Sequence, residues 1–266
     1  MEATIIIQHF FRDIILTIKN YRTVYPFIMA NKLWEGFLDY SWVSKFLLVV
    51  GALLSLKFGG VLSSWMGNVA VEGMSMNAFG SLVSDTASEG YHLYVQGGFK
   101  YVILILLEVV LFHFARKTLE VLTGEEAEDS LKAFIGAQVR MIKVVFFSYF
   151  METFFSIVVG TLVSMIGFEF LKPALIFAIQ CFFLGFVVVD NYNEIYKMSI
   201  KQSFKYTRQY AGVAMGIGVV LYVLMLVPIL GAVLAPLLGA VTATITMHEL
   251  NKKDDLLELA LVENEF

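Results

Sequence analysis

Cysteine is nearly missing from this chain. Cys181 is the only one, which excludes a disulfide framework and a cysteine-built metal site. Charge is scarce as well: Asp, Glu, Lys and Arg make up 16% of the 266 residues, where soluble domains carry roughly 25%. Basic residues are not in excess, the net charge being −4, so the electrostatic footprint of a nucleic-acid partner is lacking. The four histidines, His9, His92, His113 and His248, have no metal-ligand spacing. No GxSxG, HExxH, phosphate loop or GxGxxG stands in a fitting context. The sequence therefore points away from an enzyme, and no metal or cofactor is expected.

What remains is apolar. Hydrophobic residues are 58% of the chain, 24 of them phenylalanine, far more than a water-soluble core of this size can hide. The expected class is an all-α integral membrane protein: one membrane domain over residues 1–248 with an acidic, solvated tail at 249–266. The N-terminus has no basic region, long apolar stretch or small-residue cleavage site, so no removable leader is expected. Ile7, Phe10, Phe11, Ile14, Ile15 and Ile18 recur at steps of three and four, with Arg12, Asp13 and Lys19 elsewhere. That pattern predicts an amphipathic helix over 2–20 lying in the membrane interface; packing on a partner protein is the alternative.

A membrane span needs about 20 mostly apolar residues. Residues 41–66, interrupted by Lys45 and Lys57, and residues 99–115, with Glu108 inside, are the candidates for two long membrane helices. Between them 67–98 is rich in Gly, Ser and Asn, and its only charges are acidic: Glu72, Asp85 and Glu89. Basic residues gather elsewhere, so the positive-inside rule places 67–98 outside and both termini in the cytoplasm.

The second half predicts two helical hairpins, 144–189 and 209–247. The first turns at GFEFLKP, Gly167–Pro173. The second is a run without a charged side chain from Gln209 to Met247, broken by Pro228, Gly231 and Pro236. The uncharged tip favours re-entrant hairpins entering from the cytoplasmic side; two full spans per hairpin would leave the termini on the same sides. A polar amphipathic helix, 190–208, separates them. Its basic stripe Lys197, Lys201, Lys205 and Arg208 suits anionic lipid, or an electropositive entrance.

Charge inside a bilayer costs at least about 2.5–3.5 kcal/mol on insertion scales. Lys57, Glu108 and Glu152 are therefore the informative residues, with Lys57 or Arg140 as possible partners of the two acids. Ser148, Glu152, Ser156, Gly160 and Ser164 fall every four residues. Close helix packing explains such a stripe; a polar path lined by Ser148, Glu152 and Ser156, together with Glu108 and Lys57, is the functional alternative. Gly212 and Gly216 form a further small-residue pair.

The stretch FFLGFVVVDNYNEIYKMSIKQSFKYTRQYAGVAMGIGVVLYVLMLVPILGAVLAPLLGAVTAT, residues 182–244, resembles the CysZ-type sulfate permease family, which includes the etoposide-induced membrane proteins. LEVLTG at Leu119–Gly124 is similar to that family's end of the second long helix, and KNYRTVYPFIMAN at Lys19–Asn31 to its basic turn before the first. The resemblance implies two long membrane helices plus two partly penetrating hairpins, a homo-oligomer in the inner (plasma) membrane, and passive or proton-influenced sulfate entry without ATP hydrolysis. It also implies an oxyanion site at Lys19, Asn20 and Arg22, where a single arginine stands in place of the family's pair. The family's Pro-Phe motif after the second long helix is missing around Arg116–Leu119. The expected partners are the bilayer, an inorganic anion and further copies of the chain. A non-transporting membrane scaffold or lipid organiser is the alternative function.

Overall fold

The computed structural model describes residues 2–35, 98–125, 131–225 and 230–263, with isolated positions 63, 84 and 88. Apart from isolated positions, the expected helix 41–66 and loop 67–98 lie outside the described residues, as does Lys57. Every element among the described residues is helical: α1 Glu2–Asn31, α2 Phe99–Thr123, α3 Leu131–Ile166, a 3-10 turn Glu169–Leu171, α4 Lys172–Ile195, α5 Ile200–Gln209, α6 Ala211–Met225 and α7 Leu230–Glu263. Among the described residues, three stretches are long and apolar enough to cross a membrane: Ile135–Ile166, Glu169–Ile195 and Val233–Lys253.

α2 is the central post. It is apolar on nearly every face, and a helix of that kind is stable only when surrounded. Tyr101, Ile103, Leu104, Leu107 and Leu111 are buried, with α3, α4 and α7 packed around them. Gly124 ends α2 in the left-handed conformation, its N–H donating to the Glu120 carbonyl. His113 and Arg116, toward the end of the helix, are both buried. The helix runs another seven residues past Arg116 before it stops.

α3 has the opposite character. Its 36 residues make a rod about 54 Å long at ~1.5 Å per residue. Phe146, Phe150, Ile157 and Met165 are 69%, 65%, 64% and 78% exposed. A row of bare aromatic and aliphatic side chains on this scale belongs against lipid, not water. α1 is likewise inverted. Its buried face carries Asp13, Thr17 and Asn20, while Ile7, Phe11, Ile15 and Ile18 are exposed. The helix continues to Asn31, past the expected end at residue 20, because Val24 and Ile28 extend the inward face and are buried. Pro26 is accommodated on the exposed side.

The first hairpin turns where expected. Gly167 has φ +83, the Phe168 N–H reaches the Val163 carbonyl at 3.1 Å, and Pro173 sits in the first turn of α4. The second differs. Gly231 and Pro236 lie inside α7, and the connection is confined to 226–229, outside the described residues. A proline near a helix start removes one backbone bond, and here packing of α7 on α1, α2, α4 and α6 offsets the loss. The polar helix 190–208 is also two pieces. Residues 190–195 complete α4, a turn with Lys197 at φ 56 follows, and α5 starts at a Ser199–Gln202 capping box. α5 then meets α6 at a bend of 93°.

Glycines set the two hairpins against each other. A Cβ on Gly185 would stand 1.8 Å from the Ala214 carbonyl oxygen, and one on Gly218 would stand 1.9 Å from that of Cys181. The pairs 185/214 and 181/218 run in opposite directions, so α4 and α6 are antiparallel and in backbone contact. The first hairpin turn and the C-terminal end of α6 consequently lie at the same end of the bundle, opposite α5. Gly212 and Gly216 face α1, with Cβ positions 2.2 Å from the Phe10 carbonyl oxygen and 3.0 Å from the Thr17 Cβ.

Candidate functional site: two buried charged clusters

The first cluster joins the start of α2 to the middle of α3 and the last turn of α6. Lys100 and Tyr101 are in the opening turn of α2, which packing on α3 holds at the level of Glu152. The Lys100 ammonium is 2.7 Å from Glu152 Oε1 and also donates to the Tyr222 hydroxyl. The Tyr101 hydroxyl donates to the other carboxylate oxygen. Lys100 Nζ stands 5.1 Å from both tyrosine ring centroids, within cation–π range. Lys100 is 1% exposed and Glu152 7%. A pair this dry persists because each charge compensates the other and the tyrosines satisfy the remaining polar atoms.

Glu152 forms part of the wall of a recess of about 280 Å³, whose other polar lining is Tyr149, Thr153, Ser156 and Gln180. Liquid water occupies about 30 Å³ per molecule, so the recess has room for several waters or one small hydrophilic solute. It is half polar, and behind its carboxylate stands an ammonium.

The second cluster ties α3, α4 and α5 together. Arg140 donates to both carboxylate oxygens of Asp190, at 2.8 and 2.9 Å, and to the Met198 carbonyl. Glu194 lies 3.6 Å from the same guanidinium. Ser203 donates to Asp190, and the Asn193 amide donates to Ser203 at 2.9 Å and Thr207 at 3.1 Å. Glu108 shares this electrostatic neighbourhood; it is 1% exposed and one of its oxygens has no hydrogen-bond partner among the described residues. Three carboxylates therefore surround one guanidinium, an arrangement that repels an anion and braces helices.

Of the residues singled out in the sequence, Glu152 and Ser156 meet at the recess. Ser148 is fully buried, with its hydroxyl unpaired among the described residues and outside the lining. Ser164 accepts a hydrogen bond from Lys172 at 3.1 Å, and Gly160 receives the aliphatic part of that lysine. The lower stripe is thus packing between α3 and α4. Lys19, Asn20 and Arg22 do not converge. Lys19 and Arg22 are exposed, while Asn20 is buried and its amide donates to Thr246 at 3.0 Å, tying α1 to α7. Glu152 pairs with Lys100, not with Arg140, and Arg140 is taken by Asp190.

Sequence reasoning missed Lys100 and Tyr222. Lys100 stands second in the run 99–115, where it reads as the polar edge of a membrane helix; burial of that edge needs the partner helices. Comparison with protein-family models, curated proteins and solved structures finds no match to this chain.

Proposed function

We propose that the chain is a multi-pass membrane permease for a small inorganic anion, with sulfate the default substrate from the family resemblance. The observation that carries this reading is the Lys100–Glu152 pair at the wall of a half-polar recess. Ionisable groups buried in a membrane bundle are costly and mark ion pathways by default. An anion entering the recess competes with Glu152 for the Lys100 ammonium, and the Tyr222 hydroxyl is already beside that ammonium to hold it in place. Exposed Lys19 and Arg22 raise the local anion concentration without forming the cradle.

The proposed arrangement has both termini in the cytoplasm of a cell with the chain in its inner (plasma) membrane, as a homo-oligomer. α6 supports re-entrant penetration: 15 residues reach only about 22 Å, short of the ~30 Å hydrocarbon core. The start of α4 and the end of α6 at one end fit two hairpins entering from one side.

The test is uptake of radiolabelled sulfate by proteoliposomes carrying the purified chain. Uptake above empty vesicles, lost in Lys100→Met and only weakened in Arg22→Ala, is expected. Uptake equal to empty vesicles removes the reading and leaves the scaffold alternative, which the bare apolar faces of α1 and α3 favour.

A further inference from the structure

A second recess, of about 580 Å³, opens among α1, α3, α4 and the α5–α6 bend. Three rings from three helices form one continuous stack in its lining. Phe155 and Phe183 are 6.1 Å apart at 25°, and Phe183 and Phe204 are 6.2 Å apart at 8°. Phe10 and Met215 add further apolar surface, and Arg208 is the only ionisable side chain in the lining. Arg208 is exposed in the last turn of α5. No carboxylate pairs with it among the described residues.

Flat aromatic rings and aliphatic side chains suit a hydrocarbon chain. A free guanidinium at the bend suits a phosphate, which it can meet with two parallel N–H groups. Lys201 and Lys205 stand four and three residues apart along the same exposed side of α5 as Arg208, so their ammonium groups extend the positive rim. We infer that this groove binds an anionic phospholipid, with one acyl chain along the Phe155–Phe183–Phe204 stack and the headgroup phosphate on Arg208, Lys201 and Lys205. A zwitterionic lipid brings its own cation to that rim and is disfavoured. The inference rests on the chain lying in a membrane and is independent of anion permeation: a chain that carries no sulfate would still hold the lipid.

The experiment uses the purified full chain in detergent micelles doped with dioleoyl phosphatidylglycerol or dioleoyl phosphatidylcholine, with bound lipid counted by native mass spectrometry. One surface cation contributes about fivefold toward an anionic lipid, so phosphatidylglycerol should be retained at least about fivefold over phosphatidylcholine. Arg208→Gln should lower that ratio by about fivefold while Arg208→Lys keeps most of it. Ala178→Trp, which narrows the groove, should reduce retention of both lipids. Lys253→Gln, a charge change outside the groove, should leave the ratio unchanged. Equal retention of the two lipids by the unaltered chain overturns the inference. So does a preference that Arg208→Gln leaves undiminished, or one that Lys253→Gln lowers as much.

Discussion

Arg140 and Asp190 are joined by two parallel hydrogen bonds, 2.8 and 2.9 Å long, across the contact between α3 and α4. The same guanidinium reaches the Met198 carbonyl, and the same carboxylate accepts from Ser203. One ion pair therefore fixes the α4–α5 turn, and with it the direction in which α5 leaves. Removing one partner of such a pair strands a buried charge at a cost of about 3–5 kcal/mol. Arg140→Gln should lower the thermal midpoint in detergent by roughly 6–20 degrees or abolish folded yield. Arg140→Lys should recover only part, because an ammonium cannot repeat the two-pronged contact. A Lys variant as stable as the parent would show that only the charge matters.

Lys100 and Glu152 allow structure and transport to be separated. Lys100→Met alone leaves Glu152 buried without its cation and should destabilise by about 3–5 kcal/mol. Replacing both, Lys100→Met with Glu152→Met, removes two desolvated charges and should restore most of the stability. Sulfate uptake should stay lost in the double variant. Recovery of uptake with recovery of folding would mean that the pair serves packing alone.

Gly185 tests the backbone contact of the hairpins. Its missing side chain is what lets the Ala214 carbonyl approach, since a Cβ would stand 1.8 Å from that oxygen. Gly185→Ala should force α4 and α6 apart and cost about 1–3 kcal/mol or more. The readout is the denaturation midpoint in SDS titration, together with easier cleavage near the hairpin turns. A midpoint matching the parent would show that the two helices are not in close contact.

Gly167 gives the contrasting case. Nothing lies within 4 Å of a Cβ placed there, yet its φ is +83. Gly167→Ala should therefore cost only about 1 kcal/mol, from backbone conformation alone. Gly167→Asn should cost less, because Asn tolerates the left-handed region. Equal losses for the two substitutions would contradict this origin.

The clearest sequence signal was the turn at GFEFLKP. Glycine and proline act through their own backbone limits, so no partner had to be known to place it. Pro236 carried the same mark and misled, because a helix bound on several sides tolerates a proline that an isolated one would not. Glu152 was identifiable as costly inside a membrane, but its partner was not: Lys100 is 52 residues away, and pairing at that distance depends on how α2 meets α3. The Lys19, Asn20 and Arg22 trio shows the same limit, since neighbours in sequence on a helix point in different directions and only Asn20 turned inward.

The long runs without charge by themselves pointed to helices apolar enough to cross a membrane, because a backbone in oil must make its hydrogen bonds internally and runs of about 20 apolar residues do so as helices. The tertiary structure decided which charges are paired, which faces are bare and where the recesses lie. Those outcomes hang on contacts between helices far apart in the chain, where a missing Cβ or a single guanidinium sets the spacing, and no local pattern of residues encodes them.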